Sequence, residues 1–249
     1  MWEGASAAPG ALALTTASPS PSPSPSAPTG TAYNGTPAVG ALFAKFEGKL
    51  RHFCTAAVVR SPHEDLAITA AHCMFGRKLG KHSTVTFVPG YHDGKAPYGT
   101  WLVRADFVDA SWRKHDNPND DVAFLLIGRP GHKIQKRTGG EQVKFNVALP
   151  AEVRVIGYPD KSNRPIKCDN TATMLNLSSY QQLVFDCGGY TDGTSGGPFL
   201  MQVSRKTGLG DVIGVIGGYE LGGDTPSVSY SARFLTNIAR LYKHAVARS

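Results

Sequence analysis

Two short segments contain side chains that together could perform nucleophilic catalysis. Ser195 lies in the glycine-rich sequence GTSGGP, and His72 lies in the sequence TAAHC. Between them, Asp121 opens the apolar run DVAFLL. A serine hydroxyl is a poor nucleophile at neutral pH unless an imidazole accepts its proton and a carboxylate holds that imidazole in one tautomer. The sequence therefore predicts covalent catalysis through Ser195, with His72 as the base and Asp121 as the orienting acid.

Each of these residues has a simpler structural explanation when it is considered alone. Glycines around a serine are typical of a turn, because glycine readily adopts positive φ angles. An aspartate before an apolar run often ends a loop, and a single histidine is most often a surface or packing residue. The combination and its chain order are what favour catalysis.

The nucleophile segment also matches the G-x-S-x-G elbow of α/β-hydrolases. That fold requires an acid and a histidine after the serine, and a helix directly behind the elbow. His244 is the only histidine that follows Ser195, and residues 198–203 (PFLMQV) form an apolar run typical of a strand. We therefore reject this interpretation.

The chain order His, Asp, Ser resembles that of the chymotrypsin-like serine proteases. Segments 39–43 (VGALF), 52–57 (HFCTAA) and 156–159 (IGYP) are most similar to the bacterial glutamyl-endopeptidase-type branch. The resemblance covers roughly residues 36–248. It implies an all-β fold of two packed six-stranded antiparallel barrels with a C-terminal α-helix, and a secreted serine endopeptidase with its cleft between the barrels.

The resemblance also assigns roles to residues of the site. It implies an oxyanion hole formed by the backbone N–H groups of Gly193 and Ser195, and it requires no metal and no cofactor. Asp121 rather than Asp120 is the triad acid, because the family's acid directly precedes the β-branched residue of the next strand. Asp120 is expected to be a solvated loop acid. Thr194 replaces the acidic residue that pairs with a new amino terminus in animal zymogens, so that switch cannot operate here.

The residues that set substrate preference are harder to identify. By resemblance the substrate-binding residues are Gly189, Ile216, Gly217, Gly218 and Tyr219. Trypsin has an aspartate where Gly189 stands, and glutamyl endopeptidases have a histidine where Ile216 stands. Two alternatives remain: Tyr219 narrows the pocket for small or medium apolar side chains, or nearby acids bind basic side chains. Those acids are Asp186, Glu220 and Asp224.

Four cysteines and no C-x-x-C pair favour disulfides over a zinc site. The resemblance pairs Cys54 with Cys73, and Cys168 and Cys187 then pair with each other. Disulfides indicate an oxidising compartment, so we expect a secreted or cell-envelope protein. The start of the chain shows no convincing signal peptide, since the residues directly after Met1 include no basic residue. We therefore expect the export signal to lie in an upstream segment.

Composition changes sharply along the chain. Residues 1–32 are rich in Ser and Pro and predict a disordered segment or stalk, and residues 33–249 predict the protease domain. Short apolar runs between turn signals predict a first barrel at about 36–128 and a second at about 148–234. Apolar residues at helical spacing predict a C-terminal helix at about 235–247.

Charge and hydropathy exclude several classes of partner. The formal net charge is +7, but the basic residues are mostly scattered and no nucleic-acid-binding module is recognisable. No apolar run approaches the roughly eighteen residues of a membrane span. We expect a monomer that acts on a protein or peptide substrate. The alternatives are a latent or non-catalytic member of the fold that binds a partner, or an esterase that uses the same triad.

Overall fold

The computed structural model describes residues 27–46, 48–75, 84–177 and 179–249. Its α-helices are α1 (Ala110–His115), α2 (Ile134–Thr138) and α3 (Thr236–Val246). Its strands are β1 (Thr31–Ala32), β2 (Val39–Phe46), β3 (Lys49–Val59), β4 (Leu66–Thr69), β5 (Val85–Pro89), β6 (Trp101–Val108), β7 (Ala123–Gly128), β8 (Gln142–Val143), β9 (Ala151–Gly157), β10 (Ile166–Leu177), β11 (Tyr180–Asp186), β12 (Pro198–Met201), β13 (Asp211–Val215) and β14 (Val228–Ala232). Residues 1–26 of the Ser/Pro-rich segment lie outside the described residues, so their predicted disorder stays a prediction.

Strands β2 to β7 close into a barrel in the order β2-β3-β4-β7-β6-β5. Side chains of a strand alternate between its two faces, and β2 shows how this sequence suits a barrel wall. Leu42 and Ala44 pack inside the barrel, whereas Val39 and Ala41 belong to the core shared with the second half. Both faces of β2 are therefore buried, which explains its continuous apolar character. The predicted first barrel is confirmed.

The second half forms an eight-stranded sheet that does not close into a barrel. Its strand order is β14-β11-β10-β9-β12-β13-β8, with β1 paired to β10. Closure would require a backbone ladder between β13 and β14. Among the described residues these two strands form no ladder. The Val215 N–H donates to the Ser231 hydroxyl at 2.8 Å, and the Gly217 N–H, just after β13, donates to the Tyr230 carbonyl at 3.0 Å. The prediction of a second closed six-stranded barrel is therefore wrong, although the chymotrypsin-like layout is retained.

Residues 28–32 are attached to the second half, although the predicted boundary left them in the Ser/Pro-rich segment. Strand β1 pairs antiparallel with the start of β10. The Gly188 N–H also donates to the Pro28 carbonyl at 2.8 Å. These contacts are made by the backbone, and a two-residue strand carries no hydrophobic alternation. The sequence pattern therefore does not predict strand β1.

Helix α3 covers the junction between the two halves. Its buried residues Ile238, Leu241 and Ala245 belong to a core cluster that includes Phe124 of the barrel and Leu200 of the second sheet. The predicted apolar face is thus confirmed, and the helix begins one residue after the predicted start. This helix helps to hold the two halves in one fixed arrangement.

Both predicted disulfides are present. Cys54 is bonded to Cys73 within the barrel, and Cys168 is bonded to Cys187 within the second sheet. Cys73 directly follows His72 in the chain, so the first disulfide restrains the position of the predicted base. Within the described residues, no helix has the length and apolar character needed to cross a membrane.

Glu141 is a buried carboxyl group in the connection between the two halves. Its side chain is fully buried, and its Oε2 atom accepts a hydrogen bond from the Gly210 N–H at 2.5 Å. Burial raises the pKa of Glu141 to about 8, although the Gly210 hydrogen bond and the nearby Arg60 act in the opposite direction. The folded state therefore binds the Glu141 proton more tightly than the unfolded chain does.

This raised pKa predicts that stability falls as the pH increases. The contribution of Glu141 is complete below its ordinary pKa of 4.5 and is lost as the pH rises through about 8. The Glu141→Gln variant should therefore be more stable than the wild type at pH 9, by up to roughly 5 kcal/mol, with the difference vanishing near pH 4. Urea unfolding at both pH values measures this, and equal pH dependence of the two proteins would contradict it.

Candidate active site

His72 and Asp121 form a hydrogen-bonded pair. His72 lies in the 3-10 helix Ala71–Cys73 after β4, and Asp121 follows the 3-10 helix Pro118–Asp120 before β7. The His72 Nδ1–H donates to Asp121 Oδ2 at 2.7 Å, and the His72 backbone N–H donates to Asp121 Oδ1 at 2.8 Å. With Nδ1 protonated, Nε2 is the ring nitrogen free to accept a proton, as a general base requires.

Asp121 also connects the two halves of the molecule. Its side chain is fully buried, and its Oδ2 atom accepts a third hydrogen bond, at 2.7 Å, from the Gly218 N–H of the second half. A carboxylate with three charge-assisted hydrogen bonds is held firmly in position. The orientation of His72 therefore depends on the docking of the barrel against the second sheet.

Asp120 is buried rather than solvated, contrary to our expectation. Its relative exposure is 6%, and its two carboxylate oxygens accept hydrogen bonds from the side-chain amides of Asn117 (2.8 Å) and Asn237 (2.7 Å). Asn237 belongs to α3, so the C-terminal helix is tied to the loop that carries the triad acid. No local sequence pattern indicates this contact, because Asn237 is distant along the chain.

The nucleophile segment passes so close to other backbone groups that side chains would not fit. A Cβ atom on Gly193 would lie 2.6 Å from the Tyr158 carbonyl oxygen. A Cβ atom on Gly196 would collide with the Thr55 carbonyl, and one on Gly197 would collide with the Ile156 carbonyl. The glycines around Ser195 are therefore required by close approach and not merely by a turn.

Hydrogen bonds orient the two peptide groups that would form the oxyanion hole. The Asp192 carbonyl accepts from the Asp160 N–H at 2.7 Å, and the Thr194 carbonyl accepts from the Gly197 N–H at 2.9 Å. In a trans peptide the N–H points away from the carbonyl of the same group. The Gly193 N–H therefore points away from the Asp192 carbonyl, and the Ser195 N–H points away from the Thr194 carbonyl. In the part of the chain that the structure describes, neither makes an intramolecular hydrogen bond.

Ser195 and His72 line one cleft with a volume of about 630 Å³. Across the described ranges, no hydrogen bond joins the Ser195 hydroxyl to the His72 ring. Such bonds are often long in substrate-free enzymes and shorten when substrate binds. The structure therefore places the predicted nucleophile and base in one cleft, with Asp121 behind His72.

Three of the predicted substrate-binding residues lie along this cleft or behind it. Ile216 lines the cleft. Gly217 and Gly218 follow it, and a Cβ atom on Gly217 would lie 2.9 Å from Asp121 Oδ2. These glycines therefore allow the chain to pass directly over the triad acid.

The other two predicted substrate-binding residues lie away from the cleft surface. The Tyr219 ring packs against the rings of Tyr180 and Tyr230 and is not part of the cleft lining. Gly189 is also absent from the lining, and it lies against the Ile166 side chain. This placement gives no support to a pocket narrowed by Tyr219.

Two buried polar residues of the site were missed by the sequence analysis. Thr55 of β3 is fully buried, and its hydroxyl donates to the Gly193 carbonyl at 3.0 Å. Gln182 of β11 is also fully buried; its amide donates to Asn119 at 3.0 Å and accepts from the Tyr219 N–H at 3.2 Å. The sequence feature that could have identified them is a polar residue at an inward-facing position of an otherwise apolar strand.

A metal site is not supported by the donor atoms near His72. Among the described residues, the group of three potential metal ligands within 4.8 Å of one another is His72 with Cys54 and Cys73. The two cysteines are bonded to each other, so neither offers the thiolate that a metal ion would bind.

Comparison with known structures supports the same fold. A protease, Anisep from Arthrobacter nicotinovorans, is 26% identical, with a TM-score of 0.75 over 88% of this chain and 100% of that chain. A Glu endopeptidase is 15% identical, with a TM-score of 0.69 over 89% and 98% of the two chains. A human heparin binding protein is 16% identical, with a TM-score of 0.64 over 89% and 97%. The last two values support the fold alone.

Sequence comparisons identify the family. An extracellular metalloprotease of Bacillus subtilis (strain 168) is 30% identical over 82 residues, which are 32% of this chain and 25% of that protein. The chain thus spans a quarter of the length of this relative. The family model described as Trypsin matches residues 31–239, which include His72, Asp121 and Ser195. The chain therefore belongs to the trypsin family of chymotrypsin-like serine proteases.

Proposed function

We propose that this protein is a serine endopeptidase that cleaves peptide bonds through an acyl-enzyme on Ser195. The observation that carries the proposal is the His72–Asp121 pair at 2.7 Å in the cleft that also contains Ser195. The fold alone would not be sufficient, because the same fold occurs in a protein named for binding heparin. The arrangement of the side chains is what favours catalysis.

Each step of the proposed reaction uses groups of this chain. Ser195 Oγ bonds to the substrate carbonyl carbon while its proton moves to His72 Nε2, and the Gly193 and Ser195 N–H groups stabilise the oxyanion. The C–N bond then breaks, and the proton on Nε2 passes to the leaving amine. Water attacks the acyl-enzyme in the same way, giving its proton to His72. The ester bond breaks, and Ser195 Oγ regains a proton.

The two disulfides support a place of action outside the cytosol, in the secretory path or the cell envelope. Disulfides form and persist in oxidising compartments and are rare in the cytosol. A latent binding protein remains the main alternative function, and an esterase is the second. Peptide cleavage distinguishes the proposed endopeptidase from both.

The proposal predicts that Ser195 reacts with a fluorophosphonate probe. This probe reacts with activated serines, so the wild type should be labelled and the Ser195→Ala variant should not. Turnover of a peptide substrate should fall by roughly 10⁴-fold or more in the variant, with the free energy of unfolding unchanged. In-gel fluorescence and a peptide assay measure these effects.

A half-buried serine outside the cleft provides the control for this experiment. Ser162 lies in the second half outside the cleft lining, and the Ser162→Ala variant should label and cleave like the wild type. If the folded wild-type protein is not labelled, or if Ser195→Ala retains cleavage, the proposed mechanism is wrong.

The charge of the cleft supports a preference for basic substrate side chains. Three acids line the cleft, Asp192, Glu220 and Asp224, and none of its lining residues in the described part of the chain is a Lys or Arg. The chain as a whole carries a net charge of +7, so this acidic lining does not follow from composition. Asp186, the third acid that we considered from the sequence, lines a different depression with Asn170.

We therefore predict that peptides with Arg or Lys before the cleaved bond are better substrates than matched peptides with Glu. The ratio of kcat/KM should exceed roughly tenfold and should decrease as salt is added, because added ions screen the charges. The Glu220→Gln variant should lower the ratio. Glu152→Gln, which changes an exposed acid outside the cleft, should not. Faster cleavage of the Glu peptide would contradict the prediction.

A further inference from the structure

Thr194 raises the question of what holds the oxyanion hole in place. An uncharged residue at this position cannot form an ion pair with an amino terminus. Instead, the Thr194 hydroxyl donates to the Thr191 carbonyl at 2.7 Å, which closes a local turn within the same segment. A local turn does not anchor the segment to the rest of the protein. The anchor must therefore come from residues outside this turn.

Thr55 of β3 is positioned to provide this anchor from the barrel. It is fully buried and follows Cys54, whose disulfide partner Cys73 is adjacent to the base. The Thr55 backbone N–H donates to the Ser195 carbonyl at 2.7 Å, and the Thr55 hydroxyl donates to the Gly193 carbonyl at 3.0 Å. One residue thus holds the carbonyl groups on both sides of Thr194.

The Thr55 hydroxyl also restrains the turn at residues 158–160, which supports the oxyanion hole from the other side of Gly193. It accepts a hydrogen bond from the Tyr158 N–H at 2.9 Å. Two residues later, the Asp160 N–H donates to the Asp192 carbonyl at 2.7 Å and so orients the Gly193 N–H. The peptide groups before and after Gly193 are therefore both linked to this hydroxyl, the first through the turn at 158–160 and the second directly.

We propose that the Thr55 hydroxyl positions the Gly193 N–H for oxyanion stabilisation, in place of the charged pair of animal zymogens. Thr55 is a positioning residue, because it touches neither the substrate nor the reacting atoms. The inference rests on the proposed function, since an oxyanion hole matters only if acylation occurs. It implies that the site is formed as soon as the two halves dock, with no contribution from a cleaved amino terminus.

The test replaces Thr55 with Val, which has the same shape but no hydroxyl. Without this hydroxyl, the Gly193 carbonyl and the Tyr158 N–H lose their shared partner. We expect fluorophosphonate labelling and kcat for a peptide to fall roughly 10- to 100-fold, because small displacements of a catalytic donor are costly. The KM and the pH dependence of kcat/KM should stay unchanged, since the His72–Asp121 pair and the acidic side chains of the cleft are not altered.

Two further variants separate this role from a structural one. Thr55→Ser keeps the hydroxyl and should restore most of the rate. Thr138→Val removes another buried hydroxyl, which donates a hydrogen bond to the Ile134 carbonyl within α2. This variant should lower stability without changing kcat. Rates are compared per folded molecule, from the near-ultraviolet circular dichroism signal. If Thr55→Val unfolds, Thr55→Ala provides a second variant without the hydroxyl.

The outcomes distinguish this inference from the proposed function. If wild-type protein is labelled and folded Thr55→Val is labelled at the same rate, the role of Thr55 is wrong and the proposed function stands. A slow Thr55→Ser variant also contradicts the role of the hydroxyl. If wild-type protein is not labelled at all, the proposed function is wrong, and the inference is overturned with it.

Discussion

The interface between the barrel and the second sheet is the constraint on which the candidate active site depends. His72 and Asp121 come from the first half and Ser195 from the second, so no half contains a complete site. Hydrogen bonds cross the interface at the site itself, including one from the Gly218 N–H to Asp121 and two from Thr55, to the Ser195 and Gly193 carbonyls. Around them, one core cluster contains buried residues of both halves and of α3. Packing and catalytic geometry are therefore determined together.

Close approach of the backbone explains much of the local sequence at this interface. Gly196 and Gly197 bring the nucleophile segment against carbonyl groups where a Cβ would collide, and Gly217 passes over the triad acid. Buried polar groups at such an interface must find partners, because an unpaired one costs roughly 1–3 kcal/mol. Asp120 meets this requirement through two asparagine amides. The interface is thus specified by hydrogen bonds as well as by apolar packing.

The cleft differs in charge from the chain as a whole. Acidic residues at Asp192, Glu220 and Asp224 line a cleft within a chain whose net charge is positive. Asp192 and Asp224 lie in loops and Glu220 lies in the 3-10 helix Tyr219–Gly222, whereas Thr55 and Gln182 belong to strands. Such a division is common in enzymes, since loops carry substrate contacts on a rigid scaffold.

The sequence by itself predicted the first barrel and the C-terminal helix, because hydrophobic periodicity carries these features, and its local motifs indicated the candidate triad. The pairing of the four cysteines followed from the resemblance to the family and from elimination. Only the tertiary structure decided the rest. The burial of Asp120 depends on Asn237, which is 117 positions away, and the anchoring of Gly193 depends on Thr55, which is 138 positions away. The lack of strand pairing between β13 and β14, which leaves the second sheet open, is likewise a property of the tertiary structure. Contacts between residues so distant in sequence leave no periodic pattern, and they exist only once the two halves have docked.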